Sequence, residues 1–181
     1  MRLVVLTYFT IFLSGCSSHQ PYPENWEVQK ANESCLWLQG FYKNNGEYFL
    51  NERTYKTHLS AYFFESTQVE HSKVEFITFE VRENESYLIK AISENNVQIA
   101  ETLINLDCNN GSLISSKDRV ITGGEAGAIV LGTQIKQFRL VETIDGNLLL
   151  SSESSVAGML LMVVPVAGSS SVWSKFNKYR T

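Results

Sequence analysis

The side chains able to do chemistry are few in this chain, and their spacing limits what they can do. There are three histidines, His19, His58 and His71, and three cysteines, Cys16, Cys35 and Cys108. A zinc site calls for Cys-x-x-Cys or His-Glu-x-x-His spacing, so that neighbouring ligands converge on one ion. Neither occurs, and no histidine lies near Cys35 or Cys108 in sequence. A serine nucleophile on a strand-to-helix elbow needs Gly-x-Ser-x-Gly, which is also missing. Gly123-Gly124-Glu125-Ala126-Gly127 has the glycines of a phosphate-cradling loop without the Lys-Ser or Lys-Thr that would follow, and it reads as a β-turn or bulge. Glu75 and Glu80 fall on opposite faces of one strand and read as solvent-facing. The expectation is a protein that is not an enzyme, with no catalytic residues, no cofactor and no metal.

Cys16 has a different context. Residues 3–13 form an apolar run of eleven behind Arg2. That is too short for a membrane-spanning helix, which needs about 20 residues, and it has the charged and apolar regions of an export signal. Leu13-Ser14-Gly15-Cys16 follows: aliphatic, small, small, cysteine. At every position it resembles the lipobox of bacterial lipoproteins. The resemblance implies that residues 1–15 are a signal peptide, that the Cys16 thiol accepts a diacylglycerol, and that cleavage in front of it leaves an acylated N-terminus on the membrane. Several acyl chains are implied, because a single one anchors only marginally. Ser17, rather than Asp, comes next, which in enteric-type sorting resembles an outer-membrane address facing the periplasm. An ordinary first strand or a signal cut elsewhere is the alternative.

With Cys16 lipidated, Cys35 and Cys108 remain. An even pair in an oxidising compartment reads as one disulfide, and two buried free thiols are the other reading. A bridge would close a loop of 73 residues, for which chain entropy allows about 4 kcal/mol at most.

The elements that must position these residues are mainly strands. Residues 16–34 hold two of the three prolines and few aliphatics, and read as a flexible tether with Trp26 the first residue to dock. From Cys35 a short aromatic strand runs to Tyr42, and Asn44-Asn45-Gly46 reads as a turn. Tyr55, Leu59, Tyr62 and Phe63 recur at helical spacing behind a possible N-cap at Asn51, which predicts one short α-helix near residues 52–64. Beyond it, stretches rich in β-formers at 74–81, 87–92, 97–106, 112–122, 129–144, 147–152 and 160–166 are separated by turn residues. Asp145-Gly146 is the strongest hairpin signal. The apolar run 156–167 is too short for a helical span and reads as a buried strand pair. A polar tail carrying Trp173 and Phe176 ends the chain. The expected fold is a mainly β domain over residues 35–181, an antiparallel sheet closed as a small barrel or sandwich with that single helix.

Gly40-Phe41-Tyr42 is similar to the Gly-x-Trp signature on the first strand of lipocalin-type barrels, with Tyr in place of Trp. The resemblance covers about six residues, 37–42. It implies an aromatic ring plugging the base of a barrel that holds a small apolar ligand. The other reading is an aromatic core strand following a disulfide cysteine.

Composition sets the remaining limits. Across 181 residues, 44% are hydrophobic and 19% charged, which argues against disorder. The 15 basic residues are scattered among 19 acidic ones and form no stripe, which argues against nucleic acid as a partner. Loss of residues 1–15 removes Arg2 and no acid, taking the formal charge from -4 to -5, so anchoring would fall to the acyl group rather than to attraction for anionic lipid. The expected role is a non-enzymatic envelope lipoprotein that binds another envelope protein or acts as a scaffold. A lipocalin-like carrier of a small apolar ligand is the alternative.

Overall fold

The computed structural model describes residues 16–19, 26–28, 35–50, 52–83, 86–122, 130–160 and 164–179. The signal peptide read over residues 1–15, the Asn51 cap and the glycine segment 123–127 lie outside them. The strands are β1 (Cys16–His19), β2 (Gly40–Leu50), β3 (Arg53–His58), β4 (Val74–Val81), β5 (Ser86–Ser93), β6 (Gln98–Asn109), β7 (Ser112–Ser115), β8 (Asp118–Thr122), β9 (Val130–Glu142), β10 (Leu148–Leu160) and β11 (Val164–Lys178). Contacts group the chain into two compact units. The first takes residues 1–20, 117–137 and 152–171, and the second takes 21–116, 138–151 and 172–181. Residues 35–181, read as one domain, are shared between them.

In the second unit the strands follow the order β2, β4, β5, β6, β7, β9, β10, β11, and β11 pairs back to β2. The ring closes because β2 is long enough to serve two neighbours. Its first half meets β4 from Gly40↔Phe79 to Lys43↔Phe76, while Trp173↔Phe49 through Lys178↔Tyr42 join it to β11. Period-two alternation places Ile77 and Phe79 of β4, and Ile89 and Ala91 of β5, on the inner face. There they pack with Tyr42, Leu59, Leu106, Leu113, Leu140, Leu148 and Phe176 in one core. Each large side chain so buried contributes about 1.5–3 kcal/mol. Asn110 and Gly111, at φ 49 and 74, turn β6 into β7 in the manner of a type I′ hairpin.

Three expectations are corrected here. The α-helix near residues 52–64 does not form: Arg53–His58 is strand β3, and Leu59–Tyr62 is a 3-10 turn. Thr54, Tyr55 and Thr57 favour extended backbone, and β3 pairs with β2 from Asn45↔His58 to Leu50↔Arg53. Tyr55 stacks on Tyr48 at 5.1 Å between centroids, so the apparent helical spacing joins one strand residue to a later turn. Asn44-Asn45-Gly46 is not a turn but the middle of β2. Gly46 is there for close approach: a Cβ would lie 2.5 Å from the Lys175 carbonyl oxygen and against the Phe176 ring. The expected polar tail is the second half of β11, with Phe176 fully buried.

Part of the region read as a tether is ordered against strands. In the second unit Trp26 is buried, Val28 bridges Thr143, and the Ile144 amide donates to the Glu27 carbonyl at 3.0 Å. In the first unit, β1 pairs in parallel with β11 from Cys16↔Gly168 to His19↔Ser171. That unit continues through β10 to β9, with β8 paired on β9 from Asp118↔Lys136 to Thr122↔Gly132. No helix among the described residues is long and apolar enough to cross a membrane.

Candidate functional site

The chemistry-bearing residues fall into three places. Cys35 and Cys108 are joined by a disulfide with their Cα atoms 6.0 Å apart. Cys35 precedes the 3-10 turn Leu36–Leu38, and Cys108 lies near the end of β6. The bridge therefore ties the segment entering β2 to the β6–β7 hairpin. Trp37 reinforces the same link by donating its indole N–H to the Gly111 carbonyl at 3.1 Å. Disulfides persist in oxidising compartments rather than in cytoplasm, which is the compartment this bond fits.

The Gly40-Phe41-Tyr42 stretch opens β2. Gly40 has φ 130, a backbone state closed to most side chains, and it releases the chain from the 3-10 turn into the strand. Tyr42 points into the core, fully buried and edge-on to Phe79 at 5.6 Å. Its hydroxyl donates to the Trp37 carbonyl at 3.3 Å, and Lys178 donates to that same oxygen at 3.0 Å. The Lys178 ammonium also lies 5.5 Å from the centre of the Tyr42 ring. Burial, and then the nearby Glu142 carboxylate, push the Tyr42 phenol well above its usual range. The Glu142 carboxyl is itself raised by burial, with Lys178 pulling the other way. A buried phenol whose pKa is raised stays protonated near neutral pH, and its hydroxyl serves as a hydrogen-bond donor to the Trp37 carbonyl. The arrangement closes and stiffens the structure.

The third place joins residues that are far apart in sequence. Asn44 of β2 is fully buried. Its Nδ2 donates to the carbonyls of His71 at 2.8 Å and Val74 at 3.0 Å, and its Oδ1 accepts the Ser60 amide at 2.8 Å. His58 Nδ1 lies 3.4 Å from Asn44 Nδ2, and Ser60 Oγ is 3.0 Å from His71 Nδ1. Burial first and His58 second hold the His71 imidazole below its usual 6.5. A hollow of about 560 Å³ opens beside this network, lined by Tyr62, Phe63, Glu65, Thr67 and His71 among others.

A hydroxyl–imidazole pair invites comparison with nucleophilic catalysis, and the geometry does not suit it. A catalytic base takes the hydroxyl proton while a third group orients its other nitrogen. Here Ser60 is wholly buried and its neighbour on the network is a structural amide. What the arrangement does is pin two 3-10 turns, Leu59–Tyr62 and His71–Lys73, onto β2. Reading along the chain places His58 on a helix and His71 in a polar turn, and no linear pattern links either to Asn44. Only an unusual polar residue inside a strand could have drawn attention to it.

Cys16, the residue read as the lipidation site, begins β1 opposite Gly168. Among the described residues, no three or more His, Cys, Asp or Glu gather as a metal site would require. No protein-family model, curated protein or solved structure matches the chain.

Proposed function

We propose that the chain is a lipoprotein of the bacterial envelope, held by acyl chains on Cys16, whose disulfide-bonded β structure binds or scaffolds another envelope protein. The observation that carries this reading is Leu13-Ser14-Gly15-Cys16 behind a charged and apolar leader. Ser17 favours the outer membrane, facing the periplasm. The protein acts without catalytic residues, cofactor or metal. Support for a protein partner comes from β6, where Ile99 and Leu103 are 39% and 60% exposed on the outward-alternating face, with Val97 at 60% just before the strand. Glu101 lies between Ile99 and Leu103 on that face, so a partner would meet exposed apolar side chains flanking one carboxylate, a mixture found at protein interfaces. A photo-reactive amino acid at Leu103 in living cells should give one discrete adduct with an envelope protein. Absence of any adduct, with the chain present at normal abundance, would count against a partner at this face.

A carrier of a small apolar ligand is the second reading, favoured by Gly40-Phe41-Tyr42 at the start of a closed ring with Tyr42 buried at its wall. The inward side chains of the second unit pack on one another, which weighs toward the partner-binding role.

A further inference from the structure

We infer that the outer face of β2, β3 and β11 carries a binding site for an oxyanion flanked by hydroxyl groups, such as a carboxylated sugar or a phosphoglycerol group. The site is separate from the protein-binding face on β6 and does not depend on acylation of Cys16.

Strand register builds it. Glu47 of β2 pairs with Lys175 of β11 on one side and with Lys56 of β3 on the other. The three side chains therefore form a row across the strands: lysine, glutamate, lysine. Asn45 comes two residues before Glu47, so alternation puts it on the same face, and it pairs with His58. The other face of this segment is turned inward, since Asn44 is buried and Gly46 lies against the buried Phe176. Asn45, Glu47 and Lys56 are exposed, while Lys175 and His58 are half-buried. With Asn177 of β11 they line a hollow of about 670 Å³. Small-molecule sites fall in the range of about 300–1,000 Å³. All of these residues belong to the second unit.

The groups lining the hollow are mostly hydrogen-bond donors. Paired residues on adjacent strands have Cβ atoms about 5 Å apart, so the two lysine stems start roughly 10 Å apart and both can close on one ligand. The Lys175 ammonium is steadied 5.9 Å from the centre of the Trp26 ring. His58 adds a donor whose tautomer the fold sets. The Ser60 amide donates to Asn44 Oδ1, which leaves Asn44 Nδ2 facing His58 Nδ1 at 3.4 Å. An amide nitrogen does not accept a hydrogen bond, so neutral His58 carries its proton on Nε2.

Two ammonium groups, an imidazole N–H and the carboxamides of Asn45 and Asn177 thus surround a single carboxylate. An oxyanion satisfies donors of this kind with charge-assisted hydrogen bonds. Glu47 adds the second requirement. It repels a bare anion pressed against it, and it accepts a hydrogen bond from a hydroxyl beside the charge.

The test uses the full chain, isotope-labelled and purified from bacterial membranes in a non-ionic detergent without a sugar headgroup. Amide shifts are followed by NMR as glucuronate, glycerol phosphate, acetate or glucose is added. Glucuronate and glycerol phosphate should move the amides of Asn45, Glu47, Lys56, His58 and Lys175 and reach saturation. Acetate, charged but without hydroxyls, should bind several-fold more weakly, and glucose, uncharged, should leave those amides in place. Lys56→Gln and Lys175→Gln should each weaken glucuronate binding about tenfold, the loss expected for one charge-assisted hydrogen bond. Unchanged amide positions elsewhere would show that the variants fold. Glu47→Gln should narrow the gap between glucuronate and acetate.

Bicelles containing phosphatidylglycerol separate two sources of the same chemistry. Shifts with the bicelles alone would assign the site to a lipid headgroup, and shifts with the soluble ions alone to a free acidic ligand. Amides unmoved by every probe would overturn the inference. So would glucose binding as tightly as glucuronate, or shifts that never saturate and appear at every exposed lysine. Unmodified Cys16 in the same samples would sink the lipoprotein reading and leave this result standing.

Discussion

Lys178 holds its ammonium 5.5 Å from the Tyr42 ring while donating to the Trp37 carbonyl at 3.0 Å. One side chain near the end of the last strand thus locks the start of β2 and the turn that precedes it. Closure of the second unit depends on this contact as well as on the β11–β2 ladder. Lys178→Met keeps the aliphatic stem and removes the charge. It should cost about 1–2 kcal/mol in urea unfolding. Tyr42→Phe should cost about 1 kcal/mol, since only the hydroxyl contact is lost. A combined loss smaller than the sum is expected, because both groups share one carbonyl.

Gly46→Ala should be far more damaging than an ordinary surface change. The added methyl would meet the Lys175 carbonyl oxygen at 2.5 Å and the Phe176 ring, and rigid backbone leaves little room to give. Overpacking of this kind costs about 1–3 kcal/mol or more. Thermal melting checks it, and an unchanged midpoint would mean that β2 and β11 do not approach as described.

Reduction of the Cys35–Cys108 bond should lower stability by about 2–4 kcal/mol, within the limit set by its loop. Cys35→Ser should reproduce the effect of a reductant and be insensitive to further reductant. The comparison is of urea midpoints with and without reductant.

The His71 imidazole is held below its usual 6.5 by burial and by His58. The unfolded chain therefore binds a proton more readily than the folded one, so stability falls as pH drops below that value. The loss levels off once pH is below the lowered folded value. Between about pH 7.5 and about pH 5.5 the melting temperature should decline, and His71→Asn, which keeps a polar partner for Ser60, should flatten the decline. The raised Glu142 carboxyl works in the opposite sense, adding stability as pH falls through its folded value toward 4.5. It cannot produce the decline.

Much of the β architecture was legible along the chain, because alternation and turn chemistry act locally. Asp145-Gly146 and Asn110-Gly111 mark hairpins through residues suited to positive φ at the turn, and β4 and β5 follow their β-branched and aromatic content. The second half of β2 and β3 escaped for a shared reason. Asn44-Asn45-Gly46 has the composition of a turn, yet the demand at Gly46 comes from Phe176, 130 positions away. Tyr55 looked helical because its spacing to Leu59 ignored the pairing partner, Tyr48, that holds it extended. The Asn44–Ser60–His71 network was hidden likewise, since its members meet only after β2, β3 and the two 3-10 turns have come together. Ring closure through β11 depends on the same long-range pairing.

The central claim is that Cys16 is the acylated first residue of the mature chain. Mass spectrometry of the N-terminal peptide, from protein extracted from bacterial membranes, tests it most directly. The account predicts a peptide beginning at Cys16 and heavier than its sequence by a thioether-linked diacylglycerol and an amide-linked acyl chain. A mature chain that begins elsewhere, or an unmodified Cys16, would contradict it.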